Sequence, residues 1–270
     1  LTSLAGNSTR LIFPAIAGVI LAMVGPAPAL AMGAALFVAG GIAVLFMRVQ
    51  ENEPEPEAAV SRKANFGQSL GFVRDRPIII AMLALTLLPL IFLGPFVTGL
   101  LPVYASEVYD VGPAGLGLLT SALGAGATLG IIVLASFGTI GNQLRVVIMT
   151  LALAVGAMAG FSLSPSILVS LPLLMLMSAA ASTSMTLGGA AVQSLTPASM
   201  RGRVSGIQEM TFGLFPLGTL TSGLLAQFLG APTATIIAAG AMLATLTALA
   251  LAFRGIWWRT NVSSPVGSRD

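Results

Sequence analysis

Long apolar stretches alternate with short polar connections along most of this chain. A helix that crosses a bilayer needs about 20 mostly apolar residues, and eight segments approach or meet this requirement. They cover residues 4–24, 29–47, 78–103, 116–136, 146–163, 167–192, 204–229 and 233–253. The pattern predicts an all-α fold, a polytopic helical membrane protein with eight transmembrane helices.

The connection at residues 48–77 differs from the short turns elsewhere. Four glutamates alternate with prolines near residues 51–57, which is typical of a solvated, extended linker. The basic stretch that follows, residues 66–74, predicts a short helix on the membrane surface with Phe66, Leu70 and Val73 on one face. The linker divides the chain into four parts: two helices in 1–47, the linker 48–77, six helices in 78–254 and a tail in 255–270.

Composition supports a lipid-facing surface. Apolar residues make up 56% of the 270 residues and charged residues only 8%, whereas soluble domains carry about 25% charged residues. The mean hydropathy is +0.97. A chain of this composition cannot cover its surface with ionised groups, so the lipid bilayer is its predicted partner and a soluble enzyme is excluded.

Basic residues occur at only one set of alternate connections. Cytoplasmic loops of membrane proteins are rich in Lys and Arg, so this set is predicted to be cytoplasmic. The 12 basic residues are Arg10, Arg48, Arg62, Lys63, Arg74, Arg76, Arg145, Arg201, Arg203, Arg254, Arg259 and Arg269. Both ends of the chain are therefore predicted to lie on the cytoplasmic side of the cell (inner) membrane. The same loops account for the high pI, so nucleic acid is not predicted as a partner.

Histidine and cysteine are absent from the sequence, and Glu209 is the only acidic residue within a predicted span. A membrane-embedded enzyme needs a nucleophile–base pair or clustered metal ligands, which this chain does not supply. A channel needs a ring of polar or charged groups around its pore, and none is evident. These two classes are the alternatives to a transporter, and neither a metal nor a cofactor is predicted.

Several short motifs occur in an order that carries a family resemblance. They are NSTR at 7–10 before PAIAG at 14–18, LPVYA at 101–105 before GLG at 115–117, and TPASMRGRV at 196–204. Together they resemble the major facilitator superfamily, and within it the branch that includes enterobactin exporters and macrolide-efflux-like permeases.

The resemblance implies a two-bundle transporter. Members of the superfamily have two six-helix halves joined by a long cytoplasmic loop. The chain then corresponds to the last two helices of the N-terminal bundle and a complete C-terminal bundle, and four further helices are expected before Leu1. The implied function is secondary active export of a small amphipathic molecule, of drug or siderophore type, by alternating access coupled to protons. A monomer is expected.

Two places depart from the motifs of the family. The fifth-helix motif Gly-Pro-x-x-Gly-Gly is matched only at Pro14 and Gly18. Gly138 matches the start of the cytoplasmic Gly-rich Asp-Arg motif, but Asn142 and Gln143 occupy the places of its Asp and Arg. The sequence therefore does not support a charge-relay gate at this connection.

Two charged residues within spans are candidates for substrate binding or coupling. Arg10 is either an anchor whose long side chain reaches the headgroups or a bundle-facing charge that binds an anionic substrate or pairs with a carboxylate. Glu209 is either a protonatable coupling residue or partner of Arg10, or an ion-pair partner of Arg203 or Arg201 at a helix end.

Uncharged polar residues in the spans have weaker signals. Gln193 and Gln208 are further candidates for substrate binding or coupling. The Ser- and Thr-rich segment 178–186 predicts hydrogen bonds between helices, each worth about 0.6 kcal/mol, with one or two residues lining a cavity. Two Gly-x-x-x-Gly pairs, at 126–130 and 156–160, predict close helix packing.

The basic residues Arg145, Arg201 and Arg203 are predicted to anchor the topology. The family resemblance adds a gating role, in which an arginine contacts helix C-termini or carboxylates as the cytoplasmic side closes.

Overall fold

A computed structural model describes residues 26–45, 71–137 and 140–257, and these ranges contain helices and no strand. The helices are α1 (Pro26–Leu45), α2 (Pro77–Val108), α3 (Gly112–Ser136), α4 (Gln143–Ser162), α5 (Ile167–Leu195), α6 (Ala198–Thr211), α7 (Phe215–Leu229), α8 (Ala231–Ala252) and α9 (Arg254–Trp257). The predicted all-α fold is confirmed for this part of the chain.

Six stretches are long and apolar enough to cross a membrane: α2, α3, α4, α5, the combined α6–α7 span (Met200–Leu229) and α8. They correspond to the six predicted spans that follow the linker. The predicted span 29–47 overlaps α1, which is apolar through Ala31–Ala43. The predicted span 4–24 lies outside the described residues, so the total of eight stays a prediction.

Glycine and proline residues lie at several helix boundaries. Proline occupies the first turn of α2, α3, α7 and α8, where a missing N–H costs little. Gly230 ends α7 and precedes α8 with a φ of +80°, a conformation that only glycine adopts readily. Helices α7 and α8 are thus joined by a one-residue turn.

The core of the bundle is formed around α5, which packs against α2, α3 and α4, while α8 packs against α4. Burial of large apolar side chains defines this core, and Met82, Leu119, Leu151, Leu174 and Met242 are essentially inaccessible. Because both water and lipid are excluded there, the core depends on side-chain fit and on hydrogen bonds between helices.

The closest helix contact joins α3 and α5. A Cβ on Gly126 would overlap the backbone carbonyl of Met175, and a Cβ on Gly130 would overlap that of Ala179. Backbone atoms cannot move aside as a flexible side chain can, so the contact requires glycine at both positions. The predicted close packing of this Gly-x-x-x-Gly pair is confirmed.

Hydroxyl groups of α5 add hydrogen bonds across the same contact. Ser178 Oγ donates to the carbonyl of Leu123 at 2.6 Å, and Ser182 Oγ donates to that of Ala127 at 3.1 Å. Thr183 Oγ1 donates to the carbonyl of Gly130 at 3.2 Å. The hydrogen bonds predicted for the segment 178–186 are therefore present between α5 and α3.

The second Gly-x-x-x-Gly pair does not form a close contact, and that prediction is wrong. Gly156 is exposed, with no atom within 4 Å of the position a Cβ would take. Gly160 faces only the side chain of Leu173, at an ordinary distance of 3.4 Å. The buried face of α4 carries Leu151 and Met158, and Gly156 lies on the opposite face of the helix.

Candidate transport pathway and cytoplasmic gate

Helix α2 changes its hydrogen-bonding pattern along its length. It is α-helical from Pro77 to Leu88, and its second half contains three π-helical turns: Pro89–Leu93, Phe96–Leu100 and Tyr104–Val108. Prolines within and between these turns remove backbone donors, and π turns occur frequently at functional sites. Because fewer regular backbone hydrogen bonds would be broken there, bending α2 costs the least free energy in its second half.

Helix α7 approaches α2 at this irregular part. A Cβ on Gly218 of α7 would lie 2.7 Å from the carbonyl oxygen of Ile91, and a Cβ on Gly94 of α2 would overlap the ring of Phe215. Gly218 is the buried residue of α7. The Phe215 ring therefore packs into the space left by Gly94, and Gly218 lets the two helix backbones approach closely.

The C-terminal end of α2 is held by aromatic side chains. The rings of Tyr104 and Phe161 are 4.6 Å apart, and the Tyr104 hydroxyl donates to Thr235 Oγ1 of α8 at 3.1 Å. The hydroxyls of Tyr109 and Ser170 are 2.6 Å apart. These contacts tie the end of α2 to α4, α5 and α8. The sequence analysis missed the cluster, although the chain contains only these two tyrosines.

The two glutamines predicted as site residues lie at one interface, between the C-terminal end of α5 and α6. Gln193 Nε2 donates to Ser205 Oγ at 2.6 Å. A Cβ on Gly189 would lie 3.7 Å from Gln208 Nε2, so Gln208 also faces α5. The structure thus places Gln193 and Gln208 on the same interface between α5 and α6.

Two arginines bind the C-terminal end of α5. Arg201 Nε donates to the carbonyl of Thr196 at 3.1 Å, and Arg76 Nη1 donates to the carbonyl of Leu195 at 3.0 Å. The Arg76 guanidinium also lies 4.1 Å above the ring of Phe72. Carbonyls at a helix C-terminus lack partners within the helix and carry partial negative charge, which a guanidinium stabilises. Arg201 was a predicted site residue, whereas Arg76 was not.

The end of the linker is part of this contact. Residues 71–74 are helical, as predicted, and Val73 is buried against the core. Phe66 and Leu70, which were predicted to share its face, lie outside the described residues. Burial of Val73 places this end of the linker against the bundle, so Val73 contacts protein rather than lipid headgroups.

Asn142 immediately precedes α4, and Arg145 lies in the first turn of that helix. The Arg145 side chain is exposed. Asn142 Oδ1 accepts a hydrogen bond from the Arg145 backbone N–H at 3.1 Å, which makes Asn142 the N-cap of α4. The asparagine that replaces the acidic residue of the family motif therefore has a structural role at the start of a helix.

In the described part of the chain, none of the remaining predicted site residues joins the contacts at the end of α5. Arg203 and Glu209 of α6 are exposed. Arg10, Pro14 and Gly18 lie outside the described residues. The pairings predicted for Arg10 and Glu209 stay predictions.

Six stretches long and apolar enough to cross a membrane indicate a multi-pass membrane protein. A family model described as transmembrane secretion effector, of the major facilitator type, matches residues 1–261. The chain belongs to this family, which is a family of transporters in the major facilitator superfamily. A search of curated proteins found no match.

Proposed function

We propose that this transporter exports a small amphipathic molecule, of drug or siderophore type, by alternating access coupled to protons. The observation that carries the proposal is the asymmetry of α2. Its outer end is held by the Tyr104 hydrogen bond and ring contacts, while its π-helical part meets α7 across glycines. A span of this kind can bend without unfolding, as alternating access requires of helices beside a central site.

Proton coupling is assigned to Glu209. It is the only acidic residue within the predicted spans, and ionisable residues in spans commonly take part in proton relays or ion pathways. Its neighbour Gln208 faces α5 at the contact that includes Gln193. Arg10 is proposed as the charge that pairs with Glu209 or with an anionic substrate.

The cytoplasmic gate is assigned to Arg201, assisted by Arg76. Both donate to carbonyls at the end of α5, and these bonds hold α6 and the linker against α5. Release of the two arginines would free the start of α6 to move when the cytoplasmic side opens. Arg203 and Arg145, whose side chains are exposed, are assigned to anchoring the cytoplasmic loops.

Efflux from cells that express the complete transporter tests the proposal. Cells are loaded with ethidium, a lipophilic cationic dye, and its loss is followed with and without a protonophore. We expect Glu209→Gln to abolish protonophore-sensitive efflux. Glu107→Gln, which removes an exposed carboxylate near the outer end of α2, is the matched control and should behave like the unmodified protein. Equal efflux by the two variants would remove Glu209 from the coupling mechanism.

A second pair of variants tests Arg10 in the same assay. Arg10→Ala should reduce efflux far more than Arg254→Ala, although each removes one positive charge. Arg254 is exposed just beyond α8, where several basic residues share the anchoring role. Equal efflux at matched protein levels would reduce Arg10 to an interfacial anchor.

The proposed orientation is tested independently of transport. The chain has no cysteine, so single cysteines at Ala58 and Ser106 can be labelled in intact cells with an impermeant thiol reagent. We expect labelling at Ser106, which is exposed at the outer end of α2, and none at Ala58 in the linker. The reverse result would invert the topology.

A further inference from the structure

An apolar groove of about 530 Å³ lies between α3, α4 and α5. Its volume is within the range of about 300–1,000 Å³ typical of small-molecule sites. Its walls include Leu129, Val133, Phe137, Val146, Leu153 and Leu176. Several of these side chains are about half exposed, Val133 at 53% and Leu153 at 47%, so the groove opens on the outside of the three packed helices.

The two hydroxyl groups in the wall do not offer their protons to a ligand. Thr150 Oγ1 donates to the carbonyl of Val146 at 2.9 Å, and Thr183 Oγ1 donates to that of Gly130 at 3.2 Å. Because a polar ligand would lose its hydrogen bonds to water and find no free donor here, the groove favours hydrocarbon.

A single charged residue precedes one wall of this groove in the sequence. Arg145 immediately precedes Val146, a wall residue, and its side chain is exposed. Between Asp110 and Arg201 the sequence contains no other charged residue, so Arg145 is the only charge that α3, α4 and α5 carry. It also lies in the first turn of α4, where the helix dipole adds positive potential.

We infer that the groove binds an acyl chain of an anionic phospholipid of the cytoplasmic leaflet, with the lipid phosphate on Arg145. An apolar groove on spans whose only charged residue, the exposed Arg145, immediately precedes a wall residue matches the two parts of such a lipid, and arginine binds phosphate through paired N–H donors. The cytoplasmic leaflet carries the anionic lipids that attract basic residues. The inference rests on the proposed orientation and does not depend on transport.

Fluorescence quenching by brominated lipids tests this site. The full chain carrying Trp257→Phe and Trp258→Phe receives Leu153→Trp as the only tryptophan, and is reconstituted in phosphatidylcholine vesicles. Phosphatidylglycerol or phosphatidylcholine with identical dibrominated acyl chains is then added. We expect quenching to favour phosphatidylglycerol about fivefold, corresponding to the ~1 kcal/mol that a basic residue contributes near an anionic surface.

Matched variants separate the site from the general lipid shell. Arg145→Gln should remove the preference and Arg145→Lys should retain most of it, while Arg254→Gln should leave it unchanged. A tryptophan reporter introduced by Leu243→Trp on α8, at a residue as exposed as those of the groove, should show no preference. Glu209→Gln, designed to block transport, should keep it, so a failure of the transport mechanism remains distinguishable from a failure of this site.

Three results would overturn the inference. Equal quenching by the two lipids at the Leu153→Trp reporter would show an ordinary lipid shell. A preference that survives Arg145→Gln would remove the phosphate from Arg145. Relief of quenching by ethidium at the same reporter would make the groove a site for transported molecules instead of lipid.

Discussion

The core formed by α3, α4 and α5 and the α6–α7 span are both apolar and rich in glycine, yet they pack in opposite ways. In the core, Gly126 and Gly130 bring two backbones into contact. In the α6–α7 span, Gly206, Gly213 and Gly223 have no atom within 4 Å of the position of a Cβ. Within its most apolar 18-residue stretch, only 6% of the residues are buried, whereas 28–50% are buried in the corresponding stretches of the other five spans. Glycine in an apolar helix thus permits a close contact but does not create one.

The two regions differ in how much of their apolar surface is covered: the core is closely packed, whereas α7 leaves apolar side chains exposed. Helix α7 exposes large apolar side chains at Leu217, Leu220, Leu224 and Phe228, although its Gly218 is closely packed on α2. In a transporter with two bundles, a surface of this kind is expected to contact the other bundle. The core formed by α3, α4 and α5 is the closely packed part of the described bundle.

The largest expected contrast is between two phenylalanines. Phe161 of α4 is fully buried among aromatic rings, whereas Phe228 of α7 is 78% exposed. Phe161→Ala should lower the free energy of unfolding by about 3–5 kcal/mol through loss of packing and a residual cavity. Phe228→Ala should change it little. The measurement is thermal stability of the detergent-purified protein, and equal shifts would contradict the division into core and surface.

A glycine pair tests the close contact directly. Gly130→Leu places atoms against the backbone of α5, which cannot move aside, so we expect a loss of about 1–3 kcal/mol or more. Gly223→Leu introduces the same side chain where space is open. Size-exclusion profiles and melting temperatures should show aggregation or early unfolding for the first variant only. A stable, monodisperse Gly130→Leu protein would disprove the need for glycine.

The junction between the two regions should show a smaller effect. Arg201→Gln removes the donor to Thr196 at the end of α5, and we expect a loss of about 0.3–1 kcal/mol, typical of a cation at a helix C-terminus. Arg203→Gln, two residues away and exposed, should be neutral. A single cysteine at Gln193 should also become more reactive towards thiol reagents in the Arg201→Gln background. No difference between the arginine variants in both assays would exclude a capping role.

The smallest expected effect concerns hydroxyl groups. Ser178→Ala removes a hydrogen bond from α5 to α3, and we expect a loss of about 0.6 kcal/mol. Thr221→Ser on α7 keeps a hydroxyl whose bonds stay within its own helix, so it should be neutral. Unfolding in a graded series of denaturing detergent can resolve the pair. A neutral Ser178→Ala would show that glycine packing alone sets the contact.

Much of the architecture was predictable from the sequence. Hydropathy located the six spans that follow the linker, and the motif at 196–204 together with the others led to the correct superfamily. The predictions for Gln193 and Gln208 selected residues that lie at the same interface between α5 and α6, and that for Arg201 selected a residue that caps a helix. Transport roles for these residues remain proposals.

Other features were decided only by the tertiary structure. Arg201 and Arg203 are equivalent basic residues in the sequence, but only Arg201 reaches the end of α5. Arg76 gave no signal beyond its charge, and it caps the same helix. Gly126 and Gly156 begin identical motifs, yet one contacts a neighbouring backbone and the other is exposed.

The physical reason lies in how many segments each property involves. Hydropathy and loop charge describe the interaction of one segment with lipid or water, so they sum along the chain and can be read from it. A backbone contact at Gly130 or a cap on Thr196 depends on which face of one helix meets another. That pairing is set by the packing of the whole bundle, and no single segment contains it.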